Sequence, residues 1–318
     1  MILRLFPPDV SHSLSLSGLK VVTFLYFSEP KPIVSEGLKV IGLQFSNRVG
    51  LAGGMDKNAD FIDPLSYLGF GFLELGTITP KAQKGNIKPR LFRLTKEQSL
   101  INRMGFNNKG VMHAVEKIKK AKSSAIIGLS IGKNHDTPLE KAHEDYLFCF
   151  KKAYPVCDYI AVNISSPNTK DLRKLESDRY FSDLIKSLKM QQKVLSKDFG
   201  YKPIVLKLSP DLNEGELENI CKQILDKDID AIICCNTSIN HNYSHEGGLS
   251  GEKIFEMSNK NLISFRSYLG SQFPIIASGG VMSKNHFDRK LDLGADLVQI
   301  YTGMIYKGPS LIKEILSS

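Results

Sequence analysis

Short apolar runs rich in β-formers recur along most of the chain, at 49–52, 72–79, 125–132, 159–165, 204–208, 231–235, 275–278 and 297–302. They lack the strict polar alternation of a half-exposed strand, so each predicts a strand covered on both faces. Between most of them lie lysine- and glutamate-dotted segments, including 110–122, 139–154, 178–197 and 214–227, that predict helices. Eight strands alternating with helices predict the α/β class and a (β/α)8 TIM barrel. A doubly wound sheet is the structural alternative. It would carry fewer strands and a G-x-G-x-x-G turn after the first, and no such turn follows residue 52.

Residues 1–36 break this rhythm. Asp9 or Ser11 is expected to cap a helix carrying Leu14, Leu16, Leu19, Val21, Val22, Phe24, Leu25 and Phe27, with Pro30 and Pro32 ending it. Two readings stay open for it: a helix packed on the barrel, or a monotopic segment that lies on a membrane or admits a lipophilic ligand. The alternation over 38–45 predicts a hairpin closing one barrel end. The expected division is therefore 1–36, an N-terminal helical segment, and 37–318, the barrel.

With 318 residues, 42% of them hydrophobic, the chain can bury a full barrel core. The net charge of +9 is spread without a block of basic residues, which argues against nucleic acid and leaves an anionic substrate, a phosphate-bearing cofactor or an anionic membrane surface. The five cysteines form no C-x-x-C pair, which argues against a zinc or iron–sulfur site and for a reducing compartment. No run of 18 apolar residues and no signal-peptide pattern is present in the sequence.

Candidate chemistry gathers where the strands end. Around 157–169 an apolar strand turns into Asn163, Ser165, Ser166, Asn168 and Thr169, with Pro167 stopping it. Two amides and three hydroxyls there suit a pocket that hydrogen-bonds a small polar molecule, although each such loop alone also reads as an ordinary turn. Gly53, Gly54 and Lys57 follow the first strand; Thr77 ends the second; Lys207 sits on the fifth; Cys235, Asn236 and Thr237 end the sixth. Gly279 and Gly280 after the seventh strand, and Tyr301, Thr302 and Gly303 after the eighth, predict a nest for a phosphorylated cofactor across the barrel mouth.

Six motifs make the pattern specific: Gly-Leu-Ala-Gly-Gly-Met-Asp-Lys-Asn at 50–58, Pro-Arg-Leu-Phe-Arg-Leu at 89–94, Ile-Asn-Arg-Met-Gly-Phe-Asn-Asn at 101–108, Asn-Ile-Ser-Ser-Pro-Asn-Thr at 163–169, Gly-Gly-Leu-Ser-Gly at 247–251 and Val-Gln-Ile-Tyr-Thr-Gly at 298–303. Through them the chain resembles the class 2, quinone-dependent dihydroorotate dehydrogenases from about Phe6 to its end. The resemblance implies FMN, oxidation of dihydroorotate to orotate in pyrimidine synthesis, and a membrane quinone as electron acceptor. It implies Ser166 as the base, where class 1 relatives carry cysteine, with Thr169 and Phe106 relaying and gating the proton. Substrate contacts are implied for Lys57, Asn102, Arg103, Met104, Gly105, Phe106, Asn163, Asn168, Asn236 and Thr237.

For the flavin the resemblance implies Gly53, Gly54, Lys57, Thr77, Ser130, Asn163, Lys207, Cys235, Gly251, Gly280, Tyr301 and Thr302. Ser130 stands where many relatives place asparagine, and Cys235 where they place threonine. His12, Arg93 and Tyr301 match the lining of the family's quinone tunnel. The implied setting is a monomer held peripherally on the cytoplasmic face of a bacterial inner membrane, with no metal. The match starts late in the family's N-terminal segment, which is expected to reflect either a missing first helix or an upstream start. Two other functions stay in play: a Schiff-base lyase using Lys57 or Lys207, and a flavin- or phosphate-binding module without turnover.

Overall fold

The computed structural model describes residues 5–26, 37–169, 172–176 and 178–317. Eight parallel strands close into a barrel: β1 (Val49–Leu51), β2 (Phe72–Ile78), β3 (Ile126–Ile131), β4 (Tyr159–Asn163), β5 (Ile204–Leu208), β6 (Ala231–Cys234), β7 (Ile275–Ser278) and β8 (Leu297–Ile300). The ring shuts where Val298 of β8 pairs with Val49 of β1. All eight expected strands are present, several one to two residues shorter than the apolar runs. The expected helices appear as Val111–Lys120, Ala142–Ala153 after a short 3-10 turn, Asp178–Phe199 and Glu214–Asp226. Asn213 caps the last of these with a reciprocal Glu216 bond, so its start is fixed by local chemistry.

Two layers of apolar side chains explain the barrel. Outside the ring, residues such as Leu73, Leu129 and Ile160 join Leu184, Ile220 and Phe265 of the helices in one core. Inside its lower end, Phe72, Tyr159, Val205, Ile233, Ile276 and Leu297 pack with Val40 and Phe45. The last two come from the hairpin Leu38–Val40 and Leu43–Phe45, which plugs the barrel floor as its alternation predicts. Phe45 meets Phe72 edge-on, with ring centroids 5.4 Å apart. Gly50 and Gly128 make room for these rings, because a Cβ at either would overlap Phe72 or Tyr159. Gly128→Ala is expected to cost about 1–3 kcal/mol by overpacking. An unchanged urea midpoint would show that the Tyr159 ring has space to move.

Above the mouth lies an element the hydrophobic pattern does not predict: an antiparallel sheet of Leu91–Leu94, Ser99–Asn102 and Gly248–Gly251. Asn102 pairs with Leu91 on one side and Gly248 on the other, so the sheet joins the loops after β2 and β6.

Helix α1 (Pro8–Tyr26) docks on this sheet. Pro8 opens it at a position where proline costs nothing. Asp9 and Ser11 therefore lie inside the first turn instead of capping it. Arg90 pairs with Asp9 at 3.3 Å, and Arg93 donates to the Phe6 carbonyl at 2.7 Å and the Ser11 hydroxyl at 2.8 Å. Leu16 is buried, while Val10, Leu14, Val21, Phe24 and Leu25 stay exposed. One face packs on the barrel, as the first reading of the segment expects, and the other exposes apolar side chains. Phe27, Pro30, Pro32 and the division at residue 36 lie outside the described residues.

Candidate active site

Strand β4 delivers its polar tail to the barrel mouth. Tyr146 donates to the Asn163 carbonyl at 2.7 Å and fixes the strand end. Beyond it, the Ser165 hydroxyl donates to the Lys207 carbonyl of β5 at 2.6 Å, and the Asn236 amide donates to the Ser165 hydroxyl at 3.0 Å. The Asn163 amide donates to the Thr77 hydroxyl at 2.9 Å, and Thr77 shares a 2.8 Å bond with Ser130. Higher up, Asn168 donates to Asn102 at 3.1 Å and Asn102 donates to the Gly248 carbonyl at 3.2 Å. Each asparagine has four hydrogen-bonding positions, so these mutual bonds orient the amides and leave others for a ligand.

Arg173 locks this arrangement from behind. It donates to the Ser165 carbonyl at 3.1 Å, the Thr237 carbonyl at 3.0 Å and the Asp211 carboxylate at 2.7 Å. One guanidinium thereby sets the spacing of the β4 and β6 loops. Nothing in the sequence marked it, because it lies in a charged 3-10 turn (Leu172–Glu176) that reads as a solvated surface.

The strand tips enclose a cavity with about 1010 Å³ of free space, the solvent at its opening included. Ser166, Asn102, Asn163, Asn168, Asn236 and Thr237 line it together, with Lys57, Met104, Gly105 and Phe106. So do Gly53, Gly54, Thr77, Lys207, Cys235, Gly251, Gly280, Tyr301 and Thr302. Other expected residues lie elsewhere. Ser130 sits behind Thr77, off the lining. Arg103 and Thr169 border an outer groove that shares Asn168 with the cavity. The Thr169 hydroxyl is buried and has no hydrogen-bond partner among the described residues. His12 and Arg93 line a third space, between α1 and the barrel, of about 1850 Å³ with its opening. Tyr301 is on the cavity wall and not among the residues lining that tunnel.

One buried ion pair and a second lysine set the charge of the cavity wall. Lys207 Nζ lies 3.0 Å from Glu74 Oε1, and Gln299 donates to Glu74 Oε2 at 2.6 Å. Glu74 and Gln299 were missed although the signal was present: a carboxylate and an amide inside otherwise apolar strands need partners. Lys57 Nζ donates to the Gly54 carbonyl at 2.6 Å. Burial, and then the Arg90 charge, bring its pKa down to about 8. His12 falls to about 4, first through burial and then through the Lys57 charge, so it is neutral near pH 7. Burial pushes Tyr301 up to about 12.

The far end is built from backbone. Gly280 has φ 77°, and a Cβ there would lie 2.5 Å from Phe255 Cα. Only glycine lets the chain turn so close to the helix Phe255–Leu269, which precedes β7, while facing the cavity. The Thr302 hydroxyl donates to Ser250 at 2.9 Å beside it. A cavity of glycine, amide and lysine at one end, with glycine and hydroxyl groups at the other, fits a ring system carrying a phosphate.

A profile of the family described as dihydroorotate dehydrogenase matches residues 37–318. The dihydroorotate dehydrogenase (quinone) of Acinetobacter baylyi is 46% identical over 98% of this chain and 95% of its own length. That of an Azoarcus species is 47% identical over 96% of this chain and 93% of its own. Among solved structures, the DHODH of Eimeria tenella in complex with ferulenol superposes with a TM-score of 0.88 at 31% identity, covering 98% of this chain and 90% of that one.

Proposed function

The chain belongs to the dihydroorotate dehydrogenase family, a family of flavoenzymes, and from that premise we propose that it oxidises dihydroorotate to orotate on bound FMN and delivers the electrons to a membrane quinone. It is an oxidoreductase of pyrimidine synthesis. The observation that carries this reading is the convergence of Ser166 with Asn102, Asn163, Asn168 and Asn236 on one cavity that also holds Lys57 and Lys207.

FMN would supply the hydride acceptor, held by Gly251, Gly280 and Thr302 at the phosphate end and by Gly53, Gly54, Thr77, Cys235, Lys57 and Lys207 around the ring. The chain's own residues do the rest. The oriented amides accept and donate along the edges of a planar imide and carboxylate, and reject molecules that leave them unpaired. Ser166 takes the C5 proton. Among the described residues its Oγ accepts only a long 3.4 Å bond from the Asn168 N–H, so it is free to turn toward the substrate. A serine hydroxyl is a weak base and needs a dry setting and an outlet for the proton. Phe106, 8% exposed, covers the site. The unpaired Thr169 hydroxyl supports its role in the outlet.

The space behind α1 is the proposed quinone path. His12, Leu16, Leu19, Met55 and Leu91 give it an apolar lining with a neutral imidazole, and Arg93 stands at its edge. Among the described residues no helix is long and apolar enough to cross a membrane. The exposed apolar face of α1 supports peripheral attachment at the cytoplasmic face of the inner membrane, with 1–36 as the access segment and 37–318 as the catalytic barrel. Deleting residues 1–36 is expected to spare reduction by dihydroorotate and to impair quinone turnover and vesicle binding. Equal quinone turnover in the truncated protein would remove this assignment.

The whole reading is tested by a visible absorption spectrum taken before and after dihydroorotate is added without oxygen. The expected result is a flavin spectrum that bleaches. A protein that stays colourless and inert after FMN is supplied would overturn it.

A further inference from the structure

Two adjacent thiols stand at the cavity wall: Cys235, proposed above beside the flavin ring, lines it, and Cys234 lies behind. Strand β6 ends at Cys234, and Cys235 follows it directly. Their sulfur atoms lie 3.0 Å apart and both cysteines are free. Both side chains are buried, yet Cys235 borders the cavity, so a small molecule inside the barrel meets one sulfur with the other in contact behind it. Cys221, a further buried thiol, does not line the cavity. Lys290 approaches the pair from the outer layer as a buried cation, its Nζ donating to the Ser258 hydroxyl at 2.6 Å.

We propose that Cys234 and Cys235 form a reversible vicinal disulfide on the cavity wall when hydrogen peroxide enters the cavity. In the first step the Cys235 sulfur attacks a peroxide oxygen. The O–O bond breaks, a sulfenic acid forms, and the thiol proton leaves with the other oxygen as water. In the second step the Cys234 sulfur attacks the Cys235 sulfur, the S–O bond breaks, and the hydroxyl leaves with the Cys234 proton as a second water. Two thiols lose two electrons together, and one peroxide becomes two waters.

The two steps differ in what the protein does for them. Burial pushes the Cys235 thiol up, and the Lys290 charge only partly opposes this, so the first step is slower than at an exposed thiolate. The second is intramolecular between atoms already in contact. Such a neighbour captures the sulfenic acid before it climbs to sulfinic acid. Closure to a bond of roughly 2.05 Å draws the sulfurs together by about 1 Å. Asn236 is the next residue, and its amide donates to both Ser165 and Asn163. The closure therefore disturbs the amide end of the cavity and spares the Gly280 end. Given the proposed activity, affinity for orotate is expected to fall about tenfold, the effect of one buried hydrogen bond lost.

The test uses the purified full chain treated with a few equivalents of hydrogen peroxide. Its thiols are then counted after unfolding and its peptides weighed. The expected result is loss of two of the five thiols, a mass lower by two hydrogens in the peptide holding Cys234 and Cys235, and full recovery with dithiothreitol. Cys235→Ser, checked for an unchanged melting temperature, is expected to keep its four remaining thiols, whereas Cys234→Ser, checked likewise, is expected to lose one, because the sulfenic acid at Cys235 is left without its resolving partner. Excess orotate, filling the cavity, is expected to slow the loss. Five persistent thiols, a Cys221–Cys234 bond, sulfinic acid at Cys235, or a rate untouched by orotate would each overturn the proposal. The thiol and mass readouts do not depend on the enzyme's activity, so they separate a failure here from a failure of the functional reading.

Discussion

Ser166→Ala is expected to slow oxidation of dihydroorotate by roughly 10²–10⁴, the range a positioned base contributes, while flavin content and fold stay as they are. The two readouts separate because Ser166 touches the cavity but holds nothing up. Among the described residues its hydroxyl makes only the 3.4 Å contact with the Asn168 N–H, whereas Ser165 carries the structural bond to the Lys207 carbonyl. Ser165→Ala thus serves as the contrast. It is expected to loosen the Asn236 amide as well, so substrate affinity falls along with rate. Stopped-flow reduction of Ser166→Ala at near wild-type speed would sink the assignment of the base. The Schiff-base alternative is tested separately, by borohydride trapping of a substrate carbonyl at Lys57 or Lys207.

The second large effect is on stability. Lys207→Met is expected to cost about 3–5 kcal/mol, because it leaves a buried carboxylate without its cation. Glu74 is fully buried, and after the change it keeps, among the described residues, the 2.6 Å bond from Gln299. The double change Glu74→Gln with Lys207→Met removes both charges and is expected to regain most of the loss. Paired urea melts of the two variants make the comparison. A single variant within about 1 kcal/mol of wild type would mean that the pair behaves as an exposed one. Gly53 adds a constraint on the same spot, since a Cβ there would collide with Glu74 Oε1.

The strand plan of the barrel was legible because strands covered on both faces are written as unbroken apolar runs, as Ile204–Leu208 and Ile275–Ser278 show. Strand ends were less so. Asn163 and Cys234 close their strands before the apolar runs end, since hydrogen bonding across the mouth takes over there. The antiparallel sheet at the mouth was hidden for another reason. Its strands are four residues each, carry Arg93, Ser99 and Asn102, and take one member from a distant loop. No local period survives in so short a strand.

Most cavity residues were legible through motifs, whose amides, lysines and glycines stand next to strand ends. Ser130 shows the limit of matching positions. It occupies a plausible place on β3, but its short side chain reaches Thr77 instead of the cavity. Arg173 shows the other limit, since a residue that aligns two loops from behind leaves no mark in its own neighbourhood. Glu74 and Gln299 were readable in principle, as polar residues whose strands offered them no solvent.

The stretch Gly53–Lys57 is a thin partition: Gly53, Gly54 and Lys57 face the cavity, while Met55 faces the space behind α1. On the proposed function, a water-loving reagent and a greasy one would use separate doorways on opposite sides of a single bend of backbone. Neither has to vacate for the other to arrive, and each competes only with molecules of its own kind. Steady-state lines for the two reagents should run parallel, the signature of a two-stroke exchange.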